Sequence, residues 1–183
     1  MANRLRNHTM ICGDQYFHWG RRTYVMGIIN LTPDSFSGDG FLGRETEACE
    51  QAIEFQGLGA DIIDIGAHST RPGHEVVSED EEISRLIPVL KSMVPRVHVP
   101  ISVDTFRSRV ASKALELGAS IINDVWGLKA DPDMASVVSD YESSIVLMHN
   151  QATTDYIDLL PDVMDSLAGS IQMALNSGIR ADR

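Results

Sequence analysis

The sequence has no apolar run approaching the ~18 residues that a membrane-spanning helix needs. Its first stretch, MANRLRNHTMICGDQYF, contains two arginines but no apolar segment of the kind found in signal peptides. The two cysteines, Cys12 and Cys49, form neither a CxxC pair nor a metal-binding spacing. We therefore expect no membrane partner and no secretory signal, and two reduced thiols fit the cytoplasm best.

Positive charge is also scarce. Lys and Arg number 15 against 26 Asp and Glu, giving a net charge of −11. This balance argues against a nucleic-acid partner or an anionic membrane surface. It does not exclude a small anionic substrate, because one cation or metal ion can dominate a single pocket.

Several common catalytic motifs are missing: GxGxxG, the Walker loop, HExxH and GxSxG. Nucleotide hydrolysis and nucleophilic hydrolysis therefore have no support. The 43% apolar and 22% charged residues are ordinary for a globular protein, and 183 residues suffice for one domain with a sizeable core.

The pattern that is present is an alternation of short, apolar, β-rich runs with longer helical runs. The predicted strands are 24–29, 61–66, 97–104, 119–124 and 144–149. The predicted helices are 44–58, one following Ser78, 106–117, one opening at Asp131-Pro132, and 158–177. The strands are apolar almost throughout, as strands covered on both faces must be.

Local signals support these boundaries. Ser78 and Glu81 form a capping box, whereas Pro88 should kink the helix or remove one of its hydrogen bonds. GADII and GASII, which begin at Gly59 and Gly118, repeat one helix-to-strand junction. Asp131-Pro132 has the chemistry of an N-cap followed by a first-turn proline.

Five strands, each followed by a helix, predict an α/β fold with a parallel sheet and right-handed crossovers. The pattern fits either a doubly wound sheet or part of a (β/α)8 barrel. Residues 10–27, MICGDQYFHWGRRTYVMG, predict a β-hairpin that leads into the first of these strands, with Gly20 near its turn.

Polar residues follow the predicted strands, and in parallel α/β folds ligands bind at this end of the sheet. The groups are Asn30 with the loop 32–37, Asp64 with 68–73, Asp104-Thr105, Asn123-Asp124, and Met148-His149-Asn150. Together they would line a pocket rich in carboxylates, amides and hydroxyls.

Each group also has a plainer interpretation. Asn30 fits a turn, Asp104-Thr105 fits a helix cap, and Asn123-Asp124 could satisfy loop amides. His149 is more often a hydrogen-bonded strand-end residue than a ligand, and the other histidines of this region are most simply surface or supporting groups. Asp64 has the strongest case, because a carboxylate amid isoleucines needs a partner or ligand if buried.

Arg71 lies in the loop Ser-Thr-Arg-Pro-Gly, where it could hold a phosphate oxygen. Its alternative role is a salt bridge that stabilises the loop.

Longer segments carry a specific resemblance. GIINLTPDSFS (27–37) and GADIIDIGAHSTRPG (59–73) resemble the two signature segments of the dihydropteroate synthase family, the pterin-binding enzymes of the folate pathway. ISVDTFRSRVASKALELGASIINDVWGL (101–128) and IVLMHN (145–150) resemble its third, fourth and fifth strand ends. The resemblance runs from about residue 11 to 183.

This resemblance implies a (β/α)8 TIM barrel, here an incomplete one of about five βα units with an N-terminal β-hairpin. It implies an Mg²⁺-dependent transferase, the sulfonamide target. The reaction joins 6-hydroxymethyl-7,8-dihydropterin pyrophosphate to para-aminobenzoate and gives 7,8-dihydropteroate and pyrophosphate.

The resemblance also implies roles for individual residues. Asn30, Arg71 and Asp104 would be catalytic, with Asn30 at the metal and pyrophosphate. Thr70 would hold the pyrophosphate side together with Arg71. The remaining substrate-binding residues would be Asp64, Asn123 and Met148 around the pterin, and Phe36, Ser69 and Pro72 around aminobenzoate.

The chain departs from the family pattern at several points. Ala67-His68 stands where the family usually has Gly-Glu, and residues 37–40 read Ser-Gly-Asp-Gly instead of Ser-Asp-Gly-Gly. The later family segments with Asp-Pro-Gly, a lysine, and an Arg and His are missing. We therefore expect residues 1–183 to be a single pterin-binding barrel domain truncated at the C-terminus, poorly stable and inactive alone.

Two rival interpretations stay open. The first is a non-catalytic pterin-binding paralogue, which the change at Ala67-His68 favours slightly. The second is a pterin-dependent methyltransferase domain, against which the STRPG and TPDSF loops speak. Family members are usually dimers, so the resemblance implies a homodimer for the full-length protein.

Overall fold

The computed structural model describes residues 9–32, 45–68 and 77–183. The strands are β1 Thr9–Cys12, β2 Gln15–His18, β3 Met26–Asn30, β4 Ile62–Gly66, β5 Ile101–Asp104, β6 Ile121–Asp124 and β7 Ser144–Leu147. The helices are α1 Glu45–Gly57, α2 Glu79–Met93, α3 Ser108–Glu116, α4 Met134–Asp140 and α5 Leu159–Asn176. Within these ranges no helix combines the length and the apolar character needed to cross a bilayer.

Strands β3 to β7 form one parallel sheet in the order β3-β4-β5-β6-β7. Each strand therefore pairs with the next one along the chain. A doubly wound sheet reverses its strand order at a switch point, whereas a (β/α)8 barrel adds strands in chain order. The topology is that of consecutive βα units of a barrel, which decides between the two predicted architectures.

The helix predictions are confirmed for α1, α2, α3 and α5, to within a few residues at each end. The Ser78 hydroxyl accepts a hydrogen bond from the Glu81 amide at 3.2 Å, so the predicted cap is present. Helix α2 continues through Pro88 to Met93. Gly59 and Gly118 both adopt positive φ, +100° and +110°, as the repeated helix stop requires.

The predicted start of the fourth helix is wrong. Helix α4 begins at Met134, with Asp133 before it. The Asp131 carboxylate instead accepts from the Ser108 amide at 2.7 Å and the Asp133 amide at 3.0 Å. Asp131 therefore caps the N-terminus of α3 and a tight turn of its own, which is why α4 starts later.

The hairpin is present, but its predicted turn is misplaced. Strands β1 and β2 pair antiparallel with Cys12 opposite Gln15, so the turn is Gly13-Asp14. Gly13 has φ +55°. Gly20 follows β2, where it supports a second turn with φ +85°.

The sheet has two faces of different character. On the outer face, isoleucines and valines such as Ile63, Ile65 and Val103 are fully buried against the helices. On the inner face, the alternate residues point into the barrel lumen, and Ile28 there is 56% exposed. This separation places the apolar core outside the sheet and leaves the inner face for polar groups.

The hairpin covers the amino-terminal end of the lumen. Cys12 and Phe17 are buried and pack against Ile62 and Ile121 of the sheet. The Ser144 hydroxyl donates a hydrogen bond to the carbonyl of Ile11, which links β1 to β7. The lumen is thus filled at one end, and polar side chains collect at the other.

Candidate functional site

A row of polar side chains crosses the carboxyl ends of the parallel strands. The strand register places Asn30 opposite Gly66, Gly66 opposite Asp104, and Asp104 opposite Asn123. Because side chains alternate along a strand, these residues share the lumen face. Three polar side chains from β3, β5 and β6 therefore meet on one rung of the barrel.

The position in this row that belongs to β4 is occupied by a glycine, Gly66. A Cβ at Gly66 would lie 3.3 Å from Asp104 Cβ and 3.5 Å from Asp104 Oδ2. Glycine therefore leaves the space that the Asp104 carboxylate occupies. Gly66 is a site residue that the sequence analysis missed.

A second layer of lumen-facing residues lies two positions earlier along each strand, towards the amino-terminal end. Asp64 of β4 stands opposite Ile28 on one side and Ser102 on the other. Asp64 is 4% exposed, and its Oδ2 accepts a hydrogen bond from Asn123 Nδ2 at 3.4 Å. Its Oδ1 and the Ser102 hydroxyl have no partner with hydrogen-bond geometry in the described part of the chain.

The electrostatics of the two rungs are coupled. Burial, reinforced by the negative charges of Asp64, Glu82 and Asp124, raises the pKa of Asp104 to about 7. Burial also raises the pKa of Asp64, and the nearby Ser102 hydroxyl and Asn123 amide offset part of that rise. The lumen therefore holds two neighbouring carboxyl groups, each with a pKa above that of an exposed aspartate.

The structure separates the site residues from adjacent structural ones. The Thr105 hydroxyl accepts from the Arg107 amide at 3.2 Å, so Thr105 serves the turn before α3 while Asp104 faces the lumen. Asp124 accepts from the amides of Trp126 at 2.8 Å and Leu128 at 2.7 Å. Thr105 and Asp124 therefore have structural roles in the turns after their strands, as the alternative interpretation predicts. Asp104 and Asn123 instead face the lumen.

The end of β7 adds an apolar wall. Met148 follows the last residue of that strand and is 44% exposed. His149 makes a 3.2 Å hydrogen bond with the Tyr156 hydroxyl, which agrees with its prediction as a hydrogen-bonded strand-end residue. Met148 is on the same edge as the polar row, where its predicted pterin contact stays a prediction.

Half of the predicted site residues fall outside the residues that the structure describes. They are Phe36, Ser69, Thr70, Arg71 and Pro72. Their predicted roles at pyrophosphate and aminobenzoate stay predictions. The five that the structure does describe, Asn30, Asp64, Asp104, Asn123 and Met148, all lie on the lumen side or its carboxyl edge.

Sequence reasoning also missed an aromatic group beside this row. His68, just after β4, contacts the edge of Phe106 at a centroid distance of 5.4 Å, and Phe106 contacts Trp126 at 6.5 Å. Burial and the positive charges of Arg107 and Arg85 lower the pKa of His68. The three rings follow β4, β5 and β6 in turn, and this repeated placement after strands is the signal that could have found them.

The described residues limit what kind of metal could bind here. No three His, Cys, Asp or Glu side chains among them are arranged to hold a cation. Asn30 offers an amide oxygen at the end of β3, and Mg²⁺ commonly keeps several waters and binds through substrate phosphates. The described residues therefore do not form a closed protein cage for a metal ion, and Asn30 supplies one oxygen that an Mg²⁺ ion could use.

The topology and the polar row define a barrel-type α/β protein with a ligand site at the carboxyl ends of its strands. The sequence matches the family described as pterin binding enzyme over residues 26–183. The chain belongs to this family.

Individual proteins agree with this assignment. The chain is 52% identical over 158 residues to the dihydropteroate synthase of Bacillus subtilis, covering 86% of this chain and 55% of that protein. Among solved structures, dihydropteroate synthase from Clostridium difficile in the presence of pteroic acid gives a TM-score of 0.83 at 46% identity, covering 90% of this chain and 63% of that one. Xanthomonas albilineans dihydropteroate synthase with 4-aminobenzoic acid gives 0.86 at 37% identity, covering 96% and 64%. The chain thus spans between 55% and 64% of the length of these proteins.

Proposed function

We propose that the chain is part of a dihydropteroate synthase. The reaction would join 6-hydroxymethyl-7,8-dihydropterin pyrophosphate to para-aminobenzoate and release pyrophosphate. The observation that carries the proposal is the lumen row of Asn30, Asp104 and Asn123, in a chain that belongs to the pterin binding enzyme family. Two relatives support it: the Clostridium difficile enzyme was solved in the presence of pteroic acid and the Xanthomonas albilineans enzyme with 4-aminobenzoic acid.

The pterin would bind against Asp104 and Asn123. The edge of a pterin alternates hydrogen-bond donors and acceptors, so a carboxyl group beside a carboxamide matches it. Asn123 directs Nδ2 towards Asp64, which leaves its Oδ1 as an acceptor for the ligand. Met148 would pack against the ring.

The pyrophosphate would lie towards β3 and the loop that follows β4. Asn30, Thr70 and Arg71 would hold its oxygens, and charge held in this way stabilises pyrophosphate as it leaves. The bond from the pterin methylene carbon to the pyrophosphate oxygen breaks, a bond from that carbon to the arylamine nitrogen forms, and the nitrogen then loses one proton to water. Because the pterin stabilises a cation at this carbon, a neutral arylamine can attack without a strong general base.

Mg²⁺ is the proposed cofactor. When bound, it would neutralise part of the pyrophosphate charge. Asn30 would hold it through its amide oxygen. Support for this role comes from the side-chain amide of Asn30 at the carboxyl end of β3.

Para-aminobenzoate is the proposed second substrate, with Phe36, Ser69 and Pro72 shaping its pocket. We also propose a homodimer for the full-length protein and a cytoplasmic location. The two cysteines, both buried and unpaired with each other, are compatible with a reducing compartment.

The test is a coupled measurement on the full-length protein. Binding of the pterin substrate is followed by calorimetry, and pyrophosphate release is followed with and without para-aminobenzoate and Mg²⁺. Release that depends on both additions supports the synthase, and exchange of Asn123 for Ala should weaken pterin binding. Tight pterin binding without turnover would instead favour a non-catalytic pterin-binding protein.

A further inference from the structure

The turn that follows β6 has an unusual backbone conformation. Gly127 and Leu128 have φ angles of +59° and +65° in succession. Glycine adopts such angles freely, whereas for leucine they are unfavourable and persist only where neighbouring contacts impose them. Because this turn starts directly after Asn123 and Asp124, the contacts that impose it act next to the candidate site.

One of these contacts comes from helix α5. The Ser170 hydroxyl, on a residue that is 1% exposed, donates to the Gly127 carbonyl at 2.7 Å. A Cβ on Gly127 would lie 2.9 Å from Ser170 Oγ, so the helix and the turn approach more closely than a larger residue at position 127 would allow. The buried residues of α5 are Ser170 and Ala174. The helix therefore packs through small side chains, and Ser170 supplies its hydrogen bond to the turn.

The other side of the turn holds the backbone of Met148. The Met148 amide donates to the Asp124 carbonyl at 3.2 Å. A Cβ on Gly127 would lie 2.7 Å from the Met148 carbonyl oxygen, so this oxygen lies directly against the glycine. Both polar groups of the Met148 backbone thus contact the turn, and the position of the turn decides where the Met148 side chain begins.

These contacts form a continuous route from α5 to the candidate site. Ser170 fixes Gly127, and Gly127 borders the Met148 carbonyl. Met148 follows the end of β7, which pairs with the strand that carries Asn123. The distance between the Asn123 and Met148 side chains determines how closely Met148 can pack on a ring that is hydrogen-bonded to Asn123.

We propose that Ser170 is a positioning residue for the pterin ring, acting through Gly127 on Met148. This role rests on the proposed function above. It requires that loss of the Ser170 hydroxyl weaken ring binding in the folded protein, and that this loss depend on the Met148 side chain. A hydrogen bond that serves only the packing of α5 would lower the free energy of unfolding and leave ring binding by the folded protein unchanged.

The principal variant is Ser170→Ala in the full-length protein, which removes the donor to Gly127 without adding atoms. The matched control is Ser136→Ala in α4. Ser136 is exposed, and its hydroxyl donates to the Asp133 carbonyl at 2.8 Å. The control therefore removes a hydrogen bond of similar length that lies within one helix end and connects no second element.

The probe is 6-hydroxymethyl-7,8-dihydropterin, which contains the ring but no pyrophosphate, and calorimetry measures its affinity. Each variant is measured with Met148 present and in a Met148→Ala background, which gives a double-mutant cycle. With Met148 present, we expect Ser170→Ala to lower the affinity by about fivefold, because a gap of about 0.5 Å forfeits roughly a quarter of the dispersion energy of each atom pair. In the Met148→Ala background the same exchange should change the affinity by less than about twofold. Ser136→Ala should leave the affinity unchanged in both backgrounds.

Gly127→Ala tests the same route from the side of the turn. The added methyl group would meet the Met148 carbonyl oxygen at 2.7 Å, so Met148 must shift, and we expect a larger loss of affinity than for Ser170→Ala. If Gly127→Ala does not fold, the Ser170→Ala cycle decides alone. An affinity unchanged by Ser170→Ala, or an equal loss with and without the Met148 side chain, would overturn the role of Ser170. A parent protein that does not bind this pterin would refute the proposed function itself.

Discussion

Asn123 on β6 donates from its Nδ2 to Oδ2 of Asp64 on β4 at 3.4 Å, across the face of the intervening strand. The contact is possible because the curved sheet brings alternate strands together on its inner side. It directs the carboxamide of Asn123 and leaves Asp64 with one oxygen unpartnered within the described ranges. Two consequences for pH behaviour follow from this arrangement.

The first concerns exchange of Asp64 for Asn. This change removes a negative charge that contributes to the raised pKa of Asp104 while keeping the side-chain shape. The pKa of Asp104 should therefore fall below about 7. An NMR titration of the Asp104 carboxyl carbon measures it directly, with the exposed Asp155→Asn as control. An unchanged Asp104 titration would show that the two carboxyl groups do not interact.

The second concerns exchange of Asp104 for Asn and the free energy of unfolding. Because the folded-state pKa of Asp104 is about 7 against an ordinary 3.8, the folded protein holds a proton that the unfolded chain releases. The stability contributed by Asp104 is thus lost as pH rises from about 4 to about 7. Asn at position 104 does not ionise, so the variant does not lose this stability as pH rises. It should match the parent near pH 4 and exceed its stability at pH 8 by on the order of 4 kcal/mol, at about 1.4 kcal/mol for each unit of pKa.

Urea unfolding at pH 4, 6 and 8 checks this expectation. The informative quantity is the difference in free energy of unfolding between variant and parent at each pH. A difference that stays constant across the series would contradict the raised pKa of Asp104.

The sequence predicts the number and order of the parallel strands and most of their polar ends, although β5 begins at Ile101 and not at residue 97 as predicted. The strands β3, β5 and β6 each carry an Asn or Asp within their last two residues, so polar residues mark the strand end there, whereas Asp64 and Ser102 lie inside β4 and β5. Asn30, Asp104 and Asn123 were found in this way, and their alignment on one rung follows from the chain-order pairing of the strands.

Other features depend on distant residues and could not be predicted locally. Asp131 has N-cap chemistry, but its carboxylate serves the Ser108 amide of an earlier helix. Gly13 and Gly20 both suit a turn, and only the pairing of Cys12 with Gln15 shows which one closes the hairpin. Likewise, the separate roles of Asp104 and Thr105 depend on the face each side chain takes, which sheet register decides.

Gly66 offers a test of the crowding beside Asp104. In Gly66→Ala the new methyl group would meet Asp104 Cβ at 3.3 Å, closer than most such contacts, and the carboxylate would have to shift. We expect pterin affinity to fall by about tenfold, equivalent to about 1.4 kcal/mol, within the range for overpacking. The control is Gly169→Ala in α5, where a Cβ would meet nothing within 4 Å. Equal affinity in both variants would show that Asp104 does not need this space.

The hairpin supplies a test of stability that is separate from the site. Phe17 is 2% exposed, stacks on Trp19 at 5.8 Å and packs with Ile62 and Ile121 at the amino-terminal end of the lumen. Exchange for Ala should lower the free energy of unfolding by about 3 kcal/mol, the lower end of the range for a buried Phe. Pterin affinity under folding conditions should not change, because the site lies at the opposite end of the strands.

Tyr16 on the same strand is 61% exposed, so Tyr16→Ala is the matched control and should cost less than about 1 kcal/mol. Chemical denaturation measures both variants, and a Phe17 variant as stable as the Tyr16 variant would show that the hairpin does not close the lumen.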